Sequence, residues 1–223
     1  MIKEMGMLLW KDYRLSRICL FAGIMFIGLP YLFLIYPYKR GYDFSHAWQI
    51  STMLSQLTIA LLAGNIIVCE RADRSAAFLA FQGATRRKIL ASKLIICTIA
   101  YISICAISFG LIHWGKLNLF WHGEWRPSDY DDMLEMQTFS YVIGFCFFGS
   151  CWLFSCLLPS SISAIVFGFL SPAVISCILS ASTHYFHWPK PSEFGHWTIA
   201  LDIAVGLISL IAGTCYFLRS KES

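Results

Sequence analysis

Residues 136–189 read MQTFSYVIGFCFFGSCWLFSCLLPSSISAIVFGFLSPAVISCILSASTHYFHWP, a run without a single Asp, Glu, Lys or Arg. A helix needs about 20 mostly apolar residues to cross a hydrocarbon core of about 30 Å, so this run is long enough for two crossings. LPSS at 158–161 divides it, because proline ends helices and serine starts them. Two spans joined so tightly form a helical hairpin.

Four further intervals avoid charge: 18–38, 44–69, 94–115 and 203–218, the last reaching back to about 197 if Asp202 is accepted inside a helix. The sequence therefore predicts an all-α integral membrane protein, a single transmembrane domain over 1–223. Its six transmembrane helices are expected at roughly 18–38, 47–69, 89–113, 136–158, 161–183 and 198–218. Composition agrees. The chain is 57% apolar and 13% charged, where a soluble domain carries about a quarter charged residues. The first apolar interval is too long for the core of a cleaved signal, and YPYKRGYD rather than a small-residue cleavage site follows it.

Lysine and arginine set the expected orientation. Lys3, Lys11, Arg14 and Arg17 precede span one; Arg71, Arg74, Arg86, Arg87, Lys88 and Lys93 lie between spans two and three; Arg219 and Lys221 follow span six. With six spans these twelve fall on one side, against Lys39, Arg40, Lys116, Arg126 and Lys190 on the other. Both termini are thus expected in the cytoplasm. The net charge of +4 reflects this bias and gives no ground for nucleic-acid binding. Trp48, Trp114, Trp121, Trp125, Trp188 and Trp197 fall at or beyond the outer ends of spans, where amphipathic rings favour the interface. The nine cysteines lie in or at the edges of spans without a CxxC, and read as small buried hydrophobes.

Ahead of span one, Ile2, Met5, Leu9 and Tyr13 share a stripe, with Lys3, Lys11 and Arg14 opposite. That pattern predicts an amphipathic surface helix over 1–17 lying against anionic membrane lipid, a frayed tail whose lysines only set topology being the alternative. Pro30 and Pro172 are expected to kink spans one and five.

His184, His187 and His196 invite a metal site, yet interfacial polar residues explain them as well. Asp202 is the single acid inside an expected span, which makes it a candidate residue of a transport or proton pathway. A hydrolase inside the bilayer would need a nucleophile with a histidine base or paired acids, and the spans lack both. No GxxxxGK[ST] phosphate loop occurs, so the chain does not bind ATP in that manner. No cofactor is implied.

The remaining puzzle is ERADRSAAFLAFQGATRRKILASK at 70–93, six basic and two acidic residues between two apolar runs. Helical spacing over 70–82 puts Arg71, Arg74, Phe78 and Phe81 on one face and Ala72, Ala76, Leu79 and Ala80 on another. Two aromatic rings beside two guanidinium groups have the composition of a docking surface, while a charged inner loop that only orients the protein explains the segment as well. Gly83 is expected to end this helix and Thr85 to cap the next.

This segment, with WKDYR at 10–14, resembles the membrane subunits of ABC transporters of the type-2 exporter class. Glu70, Arg71, Asp73, Arg74, Phe78, Leu79, Arg86, Arg87, Ser92 and Lys93 carry the likeness. The resemblance implies an elbow helix containing Trp10, Lys11 and Arg14. It also implies a cytoplasmic coupling helix within 70–85, which inserts into a separate ATPase through a surface formed by Glu70, Arg71, Asp73, Arg74, Phe78, Phe81, Arg86 and Arg87. Two ATPase copies and a second permease subunit, identical or related, complete the assembly in a bacterial cytoplasmic membrane. In that scheme the chain itself is no enzyme. A membrane enzyme using the outer histidines, or a stand-alone secondary carrier, are the alternatives.

Overall fold

The computed structural model describes residues 2–35, 44–68, 85–120, 127–186 and 194–219. Within them are six helices: α1 (Ile2–Ile35), α2 (Phe44–Asn65), α3 (Arg86–Phe120), α4 (Pro127–Leu157), α5 (Ser161–Phe186) and α6 (Phe194–Arg219). Five are long and apolar enough to cross a membrane, namely Met5–Leu32, Arg86–Trp114, Leu134–Leu157, Ser161–Tyr185 and Phe194–Arg219. The protein is an all-helical, membrane-embedded, multi-pass protein.

The expected second span, α2, falls short of that apolarity. It carries Gln49, Ser51, Thr52, Ser55, Gln56 and Thr58; of these Ser51, Thr52, Ser55 and Thr58 are buried against other helices, Gln56 is half-buried and Gln49 is exposed. It packs against α1, α3, α4 and α5.

Contacts fix the directions of the helices. Leu8 of α1 packs with Ile89 of α3, and Asp12 meets Ser92 and Lys93, so α1 and α3 run parallel. Ser51 of α2 donates 2.9 Å to the Ile27 carbonyl while Gly23 abuts Thr58, so α2 runs against α1. α2 and α4 are parallel, joined at Trp48–Gln137 and again at Gln56–Ser140. α4 and α6 are parallel too, with Gly149 against Gly206 and Leu153 against Gly213. The even helices thus run one way and the odd ones the other. One end of the bundle gathers the start of α1, the end of α2, the start of α3, the 158–160 break and the end of α6 (Leu8, Ile89 and Phe217 form a small cluster there).

α4 sits at the centre, with 56% of its apolar window buried against 22–28% for the other four. That position explains its cysteines. Cys146, Cys151 and Cys156, five residues apart, share no helical face, yet all three are buried because α4 is covered nearly all round. Cys177 and Cys215 depart from the expectation of burial, lying exposed on the outward faces of α5 and α6. Trp48 also departs from its expected interfacial place: it is buried, and its indole donates 2.7 Å to Gln137 Oε1. The amide of Gln137 donates 3.0 Å to Ser108, and Thr52 donates 3.1 Å to the same Oε1. This network joins α2, α3 and α4 with every polar atom of the Gln137 side chain used.

The segments expected as an elbow and a first span form one continuous helix of 34 residues, about 51 Å at 1.5 Å per residue. Two contacts account for its unbroken passage through Arg17. Leu8 against Ile89 and Phe217, and Asp12 against Lys93, draw the N-terminal turns onto the bundle. The inward stripe is Leu8, Asp12 and Ser16, whereas Tyr13, placed on the apolar stripe by sequence, is exposed. α1 continues through Pro30 and α5 through Pro172.

Candidate functional site

Glu70, Arg71, Asp73, Arg74, Phe78 and Phe81, with most of the 70–85 segment, lie outside the described residues. What the structure describes is the chain on either side of that segment. α2 finishes at Asn65 and the chain turns through Ile66 and Ile67. α3 begins at Arg86, directly after Thr85, whose carbonyl accepts the Lys88 and Ile89 amides at 2.9 and 3.2 Å. Thr85 therefore occupies the cap position expected of it.

Seven residues into α3 the chain buries a charge. Lys93 is 0% exposed, and its Nζ lies 3.3 Å from Asp12 Oδ1 and donates 3.0 Å to the Ile66 carbonyl. Ser92 donates to the other carboxylate oxygen, Asp12 Oδ2. Asp12 is itself 1% exposed, so both of its oxygens are matched inside the protein. The Ile66 carbonyl lies one residue past the end of α2, where carbonyls lack partners within the helix; the ammonium supplies one. One node thus ties α1, the last turn of α2 and the first turns of α3 together. Its location matters as much as its composition. The charge-free interval of α3 starts at residue 94, directly after Lys93, so the node lies at the edge of the apolar zone.

A small cavity of about 20 Å³ adjoins the node, lined by Leu15, Ser16, Cys19, Leu62, Asn65 and Ile66. It has room for roughly one water molecule. Asn65 accepts 2.9 Å from Ser161, which carries the connection on to the start of α5.

The elbow residues fall around this site. Trp10 is 64% exposed and its ring stands 5.9 Å from that of Tyr13; Arg14 is exposed and Lys11 half-buried. Arg86 is half-buried and Arg87 exposed on the first turn of α3, at the bundle end that holds the start of α1. Three cations in that turn oppose the helix dipole, which favours anions at an N-terminus, so their placement serves something other than helix stability.

Sequence reasoning recognised Ser92 and Lys93 as part of a resemblance and missed Asp12. The signal was present: Leu8, Asp12 and Ser16 at intervals of four place an acid on a helix face that also carries an apolar residue. Asp202 lies elsewhere, 1% exposed between α6 and α4. His113, His184 and His196 are exposed, and His187 lies outside the described residues. Among the described residues no group of three His, Cys, Asp or Glu comes together as a metal site.

No protein-family model matches the chain, and neither a curated protein nor a solved structure matches it.

Proposed function

We propose that the chain is the membrane-spanning permease subunit of an ATP-driven ABC exporter, coupled to a separate ATPase through the 70–85 segment. The observation that carries this reading is the composition and order of residues 70–93, in particular the paired Arg71–Arg74 and Phe78–Phe81 face followed by the basic turn at 86–88. Support comes from the Asp12–Ser92–Lys93 node. It braces both flanks of the segment against α1, so that a push on 70–85 would be passed into three helices together.

In this reading all six helices span the membrane and the bundle end holding the node faces the cytoplasm. The first turns of α1 take the elbow's place, with Trp10, Lys11 and Arg14 at the lipid surface. α2, too polar to face lipid on all sides, crosses within the bundle. Two permease subunits, identical or related, form the route, and each rests on one ATPase copy in a bacterial cytoplasmic membrane. The charge-poor spans favour a hydrophobic cargo. The chain contributes surfaces and movement; the hydrolysis of ATP belongs to the partner.

The test is Phe78→Asp in the assembled transporter. A carboxylate placed in an aromatic docking face loses its pocket and gains a desolvation cost. Membrane insertion should be retained while transport-coupled ATPase activity is lost. Unchanged transport would refute the assignment of this face.

A further inference from the structure

α6 turns a stripe of small and polar residues toward the bundle: Thr198, Asp202, Gly206, Ser209 and Gly213, spaced by three or four. The fit against α4 is close. A Cβ added at Gly149 would stand 2.1 Å from the Gly206 carbonyl oxygen, and one at Gly206 would stand 2.9 Å from the Phe145 ring.

Asp202 lies within this seam, 1% exposed, and neither carboxyl oxygen has a hydrogen-bond partner among nitrogen and oxygen atoms. Its polar neighbour is the Cys146 thiol of α4. The Ser150 hydroxyl, one turn along α4, is also buried, and its polar neighbour is again the Cys146 thiol. Asp12 shows what this chain does with an acid that stays charged: it brings Lys93 and Ser92 to the two oxygens. Asp202 receives neither. Among the described residues, the titratable group facing it from α4 is Cys146, no charged group of α3 or α5 faces it, and His196 on its own helix is exposed six residues away.

A carboxylate in an apolar interior without a compensating partner is costly, and the group neutralises instead. A metal cation is no remedy here, because it would need several ligands and the room to hold them, whereas the seam closes to backbone contact at Gly149. A proton needs neither. It gives Asp202 an O–H of its own and lets the second oxygen accept from the thiol or the hydroxyl.

We propose that the α4–α6 seam is a proton-binding site, in which Asp202 carries the proton while the helices are closed and yields it to water when they part. On opening, the O–H bond breaks, the proton leaves to water and the carboxylate stays behind hydrated. Asp202 lies eight residues into α6, about 12 Å from its start, so the N-terminal end of α6 is the short way in for water. Acid then favours the closed seam and alkali the parted one. This inference rests on the seam alone and is independent of the exporter reading.

The experiment is infrared difference spectroscopy on the full chain in lipid bilayers, wild type against Asp202→Asn. At neutral pH the wild type should show one carboxylic-acid C=O band per chain that the variant lacks, and the band should bleach as the pH is raised. A difference spectrum containing carboxylate bands alone would overturn the proposal. Should the variant fail to assemble, wild-type chain made with isotope-labelled aspartate gives the same reading. A neutral aspartic acid that shifts with the label supports the site, and its absence refutes it.

Discussion

Asp12 and Asp202 are the same side chain in opposite circumstances, and the difference lies in what surrounds each. Asp12 is matched atom for atom by Lys93 and Ser92. Removing one member of such a buried pair leaves the other as an uncompensated charge, which costs about 3–5 kcal/mol. Asp12→Asn and Lys93→Met should each lower the unfolding midpoint in detergent markedly. The double variant should recover much of the loss, since two neutral groups replace a matched pair; strictly additive losses would show that the two do not act together. Legibility at this scale was partial. Lys93 could be named from its place at the mouth of span three, but its partner sits 81 positions earlier in sequence, and pairing across helices leaves no local periodicity to read. Asp202 was recognisable as an acid in an apolar run. That only the Cys146 thiol would meet it was not, because that depends on which residues of α4 lie opposite.

Among the elements, two kinds of seam hold the bundle. The first is the glycine approach of α4 to α6. Gly149→Ala forces a methyl into backbone atoms that cannot swing aside, and overpacking of this sort costs about 1–3 kcal/mol. Gly144→Ala is the matched control, since its Cβ would meet Ile59 Cδ1 at an ordinary 3.5 Å and should be tolerated. Thermal unfolding of the two variants side by side checks the prediction. The second is the Gln137 network. Gln137→Leu strands the buried Trp48 indole N–H, a loss of about 1–3 kcal/mol, whereas Gln137→Leu combined with Trp48→Phe removes that donor as well and should recover part of the loss, the Thr52 and Ser108 hydroxyls still lacking Gln137. Helix positions were readable from charge-free runs, and the break at 158–160 from its proline. The polar character of α2 was visible too. Its meaning, a polar face turned to four other helices while Ile50, Met53 and Leu57 stay exposed, emerges only from tertiary packing.

For the whole molecule, alternation of the helices brings the start of α1, both flanks of the charged segment and the end of α6 to one end of the bundle. Described cations gather there as well: Arg14, Arg17, Arg86, Arg87, Lys88 and Arg219. Reporter fusions should therefore place both termini in the cytoplasm, and a terminus outside would reverse the account of which end meets the ATPase. The long α1 was not anticipated as a single helix, because an amphipathic surface helix and a span read as two patterns, and the contacts of Leu8 and Asp12 that unite them are tertiary. The central claim is that this chain works with a separate ATPase. It is tested most directly by purifying the tagged chain from native membranes in mild detergent and identifying stoichiometric partners by mass spectrometry. The account predicts an ATPase carrying a phosphate loop, retained by wild type and lost on Phe78→Asp; a chain that purifies alone and intact, or keeps its ATPase despite Phe78→Asp, would contradict it.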